Sequence, residues 1–288
     1  MSTFPSYPTF GPGGNGDWFR RDGMKSLIQT PGWLDRVGLD AFEYEATRGV
    51  SAGEEALLAF GQKAREHNVR LSLHTQYYIS LSGVDPEKRL KSVEYIKQSL
   101  WAADLLGADT IVIHSGSAAK ISREEAMKLS CDTLQKVIEA VGDTSVKLGI
   151  ETMGKINQLG DLDEVIEQCR VDKHYAPVVD FGHLNARERG GYFVTVDDYR
   201  RVFDKIANGV SDDAAKNLHC HFSKIEYTDA GEKKHLTFAD DVFGPSFEPL
   251  MEAIVLEGVT PRIICESDGT QPEDAKAMKT YYERILEK

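Results

Sequence analysis

Imidazoles and carboxylates recur in this sequence at one kind of position, the end of a short apolar run. "VRLSLHT" delivers His74, "DTIVIHSG" His114, "KLGIETM" Glu151, "APVVDFGHL" Asp180 and His183, "NLHCHFSK" His219 and His221, and "PRIICESDG" Glu266. A lone histidine on an apolar strand is ordinarily a satisfied core residue, and Asp180 alone could simply cap a helix. As a set, however, so many carboxylates and imidazoles buried together would be costly without a cation among them. His, Asp and Glu without thiolates form a donor set for zinc, manganese or iron at a catalytic site rather than a structural zinc cage. The donors exceed the four that one zinc ion takes, so two or three ions are expected. Such a cluster polarises a phosphoryl group and stabilises a leaving oxygen, which makes phosphodiester hydrolysis the natural reaction.

Positioning these residues requires strands whose ends converge. Strand candidates lie at 7–12, 38–45, 69–75, 109–116, 147–153, 176–184, 217–224 and 261–269. Between them, helical segments are predicted at 52–67, 85–107, 122–142, 161–170, 195–208, 246–258 and 271–288, several opening on Ser, Asp or Thr and some closing on Gly107, Gly142 or Gly258. Eight strands alternating with helices in a chain of this length predict a (β/α)8 TIM barrel, and in that fold every C-terminal strand end opens on the face that carries the active site. The metal site is therefore expected at that face. A doubly wound open sheet is the structural alternative, but no G-x-G-x-x-G follows a first strand. No linker, repeat or low-complexity tract interrupts the chain, so residues 1–288 read as a single domain.

Composition narrows the partners. The chain has 288 residues, 41% of them hydrophobic, and its 46 acidic against 34 basic residues give a formal charge of -12. That balance argues against a broad basic face for nucleic acid and leaves any such contact to a local rim. Cys131, Cys169, Cys220 and Cys265 lie far apart and read as reduced, packed thiols. The N-terminal residues lack a signal-peptide pattern, and no run of about 18 apolar residues exists, so a soluble cytoplasmic protein with no membrane partner is expected.

"LHTQYYISL", "IVIHSGS", "GIETMGK", "VVDFGHLNARERGGY", "HFSK", "KKH" and "IICESDG" follow one another in an order that resembles the endonuclease IV family, the zinc-dependent apurinic/apyrimidinic endonucleases of the xylose-isomerase-like barrel superfamily. The resemblance runs from about Gly38 to Gly269. It implies that His74, His114 and Glu151 hold one Zn2+, that Glu151, Asp180, His221 and Glu266 hold a second with Glu151 bridging, and that His183 and His235 serve a third. It implies cleavage of the phosphodiester 5′ to an abasic site in DNA, with Glu151 and Glu266 at the reacting centre and Tyr77, Tyr78 and Arg48 pressing on the duplex. Three positions depart from the family pattern. An acid expected two residues before the last histidine is Lys233, so Glu232 or water substitutes there or only two ions bind. Ser115 stands where proline is usual. Two histidines of equal parity, His219 and His221, compete for the seventh-strand position, and the following "FSK" favours His221.

A divalent-metal sugar isomerase or epimerase on the same barrel is the rival reading. It needs only Glu151, Asp180, His221 and Glu266 around one Mn2+ or similar ion, with the two glutamates moving a proton beside a carbonyl of a small sugar. His74 and His114 discriminate, because such an enzyme has no need of them as ligands. A barrel that only binds metal or sugar would require blocked coordination positions. "GPGGNG" (11 to 16) reads as a plain loop, and Trp18, Phe19 and Trp33 as packing.

Overall fold

Every apolar run named above contains a strand in the computed structural model, which describes residues 5–287. The strands are β1 (Thr9–Pro12), β2 (Ala41–Glu45), β3 (Arg70–His74), β4 (Thr110–His114), β5 (Lys147–Glu151), β6 (Tyr175–Asp180), β7 (His219–Phe222), β8 (Lys224–Thr228), β9 (Gly231–Leu236) and β10 (Arg262–Cys265). Eight of them form one parallel sheet in the order β1-β10-β7-β6-β5-β4-β3-β2, with helices between successive strands. The two edges meet through Gly14 N–H donating to Glu43 O at 3.0 Å and Asp40 N–H to Phe10 O at 3.1 Å, so the sheet is a nearly closed (β/α)8 barrel.

The alternation of side chains along β2 shows how the barrel sorts its residues. Phe42 and Tyr44 turn outward onto Phe60 of the helix Glu54–Glu66, at ring separations of 5.7 and 6.4 Å. Glu43 and Glu45 consequently face inward. Register then aligns the polar strand ends: Glu45 lies beside His74, His114 beside Glu151, and Asp180 beside His221. The helices start where Asp85, Ser122 and Asp161 accept backbone N–H groups, and the helix Pro86–Leu106 stops at Gly107 in the left-handed conformation.

Three features differ from the sequence expectations. The sixth strand ends at Asp180 instead of running to Leu184, because the Asp180 carboxylate accepts His183 N–H at 2.7 Å and starts the helix Phe181–Arg187. The antiparallel hairpin of β8 and β9 is absent from the expected strands; its "KIEYT" and "GEKKHL" are too charged to show a buried face. It is tied to the loop after β5 by Glu232 N–H to Gly154 O at 3.0 Å and Ile156 N–H to Ala230 O at 3.1 Å. The short helices Asp17–Arg21, Thr30–Val37 and Asp212–Lys216 carry too few turns for a periodic signal. Trp33 and Phe19 are buried core residues as expected, and all four cysteines are free thiols. Among the described residues, no helix is long and apolar enough to cross a membrane.

The β1–β2 seam depends on a missing side chain. A Cβ at Gly11 would come within 1.7 Å of the Ala41 carbonyl oxygen. Gly11→Val should therefore cost about 3 kcal/mol in urea unfolding, while Gly53→Ser, at a helix start where a Cβ meets nothing within 4 Å, should change stability by less than about 0.5 kcal/mol. Equal stability of the two variants would show that the seam is not close-packed.

Candidate metal centre

Among the described residues, five groups of side chains bring donor atoms within 4.8 Å of one another, and three of them gather the expected site residues: His74, His114 and Glu151; Glu151, Asp180, His221 and Glu266; and His183, Glu232 and His235. Glu151 belongs to the first two. Its Oε2 lies 3.6 Å from His74 Nε2 and 3.4 Å from His114 Nε2, and its Oε1 lies 3.0 Å from His221 Nδ1. Glu266 Oε1 approaches the same His221 Nδ1 at 3.4 Å. Backbone carbonyls orient two of the rings: His74 Nδ1 pairs with Thr75 O and His183 Nδ1 with Thr152 O, each at 2.9 Å. In their neutral forms both rings then offer Nε2 to a cation.

The third group bears on the question that Lys233 raised. Lys233 is half-exposed and pairs with Glu226 at 2.5 Å. Its neighbour Glu232 instead turns inward, placing Oε2 3.5 Å from His183 Nε2. His235 stacks edge-on against His183, ring centres 5.4 Å apart, and its Nδ1 meets Ser223 Oγ at 2.8 Å. Asp180 has two roles at once. Its Oδ1 caps the helix Phe181–Arg187, while Oδ2 is buried without a hydrogen-bond partner, as is Glu151 Oε2. Buried carboxylate oxygens left without partners among convergent imidazoles are what divalent cations would satisfy, and the all-N/O donor set suits them.

Electrostatics agree with that fit. Burial would raise the Glu151 carboxyl, yet His221, His74 and His114 hold it well below the usual carboxylate range. Against burial, which lowers imidazoles, Glu151 and Glu45 raise His74 to about 10, and Asp180, Glu232 and Glu151 raise His183 to about 9. Burial pushes His114 down to about 4. Glu266 is raised to about 8 by burial, which outweighs the pull of His221 and is helped by Glu151 and Asp180.

Above the ligands lies a cavity of about 220 Å³ lined in part by Glu45, Thr47, Tyr77, Lys155 and Gln158. A roomier cavity of about 410 Å³ opens at the opposite end of the barrel, beside Arg70, Lys147 and Arg262, and holds none of the three ligand groups. Tyr77 and Tyr78 are 61% and 42% exposed, with rings 5.5 Å apart edge to face. Arg48 is exposed in the adjoining loop, whose Gly49 approaches the Tyr78 hydroxyl. His219 stays in the barrel interior behind the second group, its Nε2 3.2 Å from His221 Nε2. Sequence reading overlooked Glu43 and Glu45; their signal was two acids of equal parity in the apolar β2. Lys155 and Gln158 sit in a loop with no pattern to mark them.

Residues 32–284 match the family described as xylose isomerase-like TIM barrel. An uncharacterized protein of Methanocaldococcus jannaschii is 28% identical over 257 residues, covering 87% of this chain and 90% of that protein. A probable endonuclease 4 of Acholeplasma laidlawii is 32% identical over 115 residues, which is 40% of this chain and 39% of that protein. The chain thus spans well under half of that relative's length. Among solved structures, a D-tagatose 3-epimerase-like protein matches with a TM-score of 0.66 at 19% identity, over 86% of this chain and 89% of that one. Endonuclease IV from Thermus thermophilus matches with a TM-score of 0.62 at 18% identity, over 91% of this chain and 94% of that one. At such identities the likeness speaks for the fold.

Cations require neutral imidazoles and ionised carboxylates. Because Glu266, His183 and His74 lose their protons only near 8, 9 and 10 in the metal-free protein, Zn2+ uptake at about pH 7 should release protons, and apparent affinity should rise from about pH 6 to about pH 9. Calorimetric titration in buffers of different ionisation enthalpy reads both effects. Affinity that stays flat over this range, with no proton released, would contradict them.

Proposed function

Because the chain belongs to the xylose isomerase-like TIM barrel family and is a metal-utilising enzyme of that superfamily, we propose that it is a metal-dependent phosphodiesterase acting 5′ to an abasic site in DNA. The observation that carries this reading is the completeness of all three ligand groups, the third supplied by Glu232 and His235 of β9 together with His183. One-metal sugar chemistry would need Glu151, Asp180, His221 and Glu266 alone. His74, His114, Glu232 and His235 would then be buried or half-buried charge without a function.

When bound, Zn2+ or Mn2+ would supply Lewis-acid polarisation of the phosphoryl group and neutralise charge on the leaving oxygen. His74, His114 and Glu151 would hold one ion, Glu151, Asp180, His221 and Glu266 a second, and His183, Glu232 and His235 a third. The chain's own residues do the positioning. Glu151 is fixed from several sides by imidazoles, so it would serve both groups without reorganising. Lys155, on the rim of the cavity, offers a cation to a flanking phosphate. Tyr77 and Tyr78, exposed beside that cavity, are available to press into the gap left by a missing base, with Arg48 in the next loop. The overall charge of -12 confines DNA contact to this rim, so binding should be salt-sensitive but modest in slope.

A second reading, a sugar epimerase with Glu151 and Glu266 as the proton-moving pair, is supported by the convergence of Glu151, Asp180, His221 and Glu266, a donor set sufficient by itself for one divalent ion. The two part experimentally. Zinc-loaded protein should nick abasic duplex DNA in a gel assay, and His114→Ala and Glu232→Gln should each lower nicking by at least about 100-fold. Loss of a C–H proton to D2O from a ketohexose, unaffected by both substitutions, together with no nicking, would establish the epimerase instead.

A further inference from the structure

Beneath the ligand groups, the barrel interior holds a second layer of buried charge. Glu43 Oε2 accepts Ser72 Oγ–H at 2.8 Å and pairs with His219 Nε2 at 2.9 Å. Arg262, fully buried, donates from Nε to His219 Nδ1 at 2.7 Å and from Nη1 to Leu71 O at 2.9 Å, with Asp109 Oδ1 2.9 Å from Nη2. The remaining oxygen, Glu43 Oε1, is buried without a hydrogen-bond partner and lies 2.9 Å from His221 Nε2.

The direction of these contacts is set by Arg262. A guanidinium only donates, so His219 Nδ1 must accept. Neutral His219 then carries its proton on Nε2 and gives it to Glu43. On the other side, Nδ1 of His221 faces Glu151 and Glu266 at 3.0 and 3.4 Å. A cation there takes that lone pair, and the one proton left on the neutral ring must sit on Nε2, opposite the unpaired Glu43 Oε1. Glu43, His219 and His221 also converge closely enough to be metal donors themselves, but an ion among them would sit beside the Arg262 guanidinium and be repelled.

We infer that Glu43, held by Ser72 and by the Arg262–His219 pair, is the positioning residue that fixes His221 in its Nε2–H form and so presents Nδ1 to the cation shared with Glu151, Asp180 and Glu266. The inference rests on a cation in that group, and is independent of whether DNA or sugar is the substrate. It also gives His219 a role, since that ring passes the donor-only character of Arg262 to the carboxylate.

Two measurements on the full chain test it. In wild-type protein labelled with 15N-histidine, Zn2+ addition should leave His221 with its proton on Nε2, hydrogen-bonded, and Nδ1 coordinated. In zinc or cobalt titrations followed by ion count and cobalt absorption, Glu43→Gln should weaken one site by about 10- to 100-fold and leave the others unchanged. Glu43→Asp should recover part of the loss, and Ser72→Ala should lose less than Glu43→Gln. A zinc-bound His221 protonated on Nδ1 would overturn the inference. So would a Glu43→Gln protein that melts at a lower temperature but binds every ion as tightly as wild type, the mark of a purely structural role. Wild-type protein that takes up no ion would overturn both this inference and the metal-centre reading, whereas wild type that binds ions alongside an unaffected variant overturns this inference alone.

Discussion

The carboxylate of Glu151 is the contact on which the rest of this molecule turns. It is buried at the end of β5, with His74 and His114 facing one oxygen and His221 the other. His183 Nδ1 approaches from a further side at 3.5 Å. A carboxylate so placed is stable only if positive charge converges on it, and protonated imidazoles meet that need in the absence of metal. The raised titration of His74 and His183 is the counterpart of the depressed titration of Glu151. Divalent cations would serve the same purpose without protons, which makes the centre a place where metal and protons compete.

The fold supplies convergence through three devices of different rank. Parallel register puts His114 beside Glu151 and Asp180 beside His221. The sharp turn after β6, with Asp180 capping the helix Phe181–Arg187, swings His183 back over the site. The hairpin of β8 and β9, stapled to the loop after β5, brings Glu232 and His235 from outside the barrel to complete the third group. Below, the Arg262–His219–Glu43 layer carries buried charge through the barrel interior, so His221 is held from both sides.

Much of this was legible in the residues alone, and the exceptions have physical reasons. Strand ends were readable because β-branched runs are interrupted abruptly by His, Asp or Glu, so the barrel and the ligands of the first two groups follow from one pattern. Asp180 showed that two readings of a residue need not compete, since one carboxylate oxygen caps while the other faces the cluster. Lys233 obscured the third group because sequence cannot tell which neighbour in a charged hairpin turns inward; the turn of Glu232 is set by pairing across β8 and β9, with its irregularity between Glu226 and Tyr227. Glu43 was missed although visible, because an acid in the middle of a strand has meaning only once Arg262 and two histidines are seen to meet it.

The proposed phosphodiesterase function requires three cation sites around one buried carboxylate system. Anomalous scattering from crystals of the zinc-loaded protein tests it most directly. Three peaks are expected: one among His74, His114 and Glu151, one among Glu151, Asp180, His221 and Glu266, and one among His183, Glu232 and His235. A single peak confined to Glu151, Asp180, His221 and Glu266, at saturating metal, would contradict the account and leave the one-metal chemistry of an epimerase in its place.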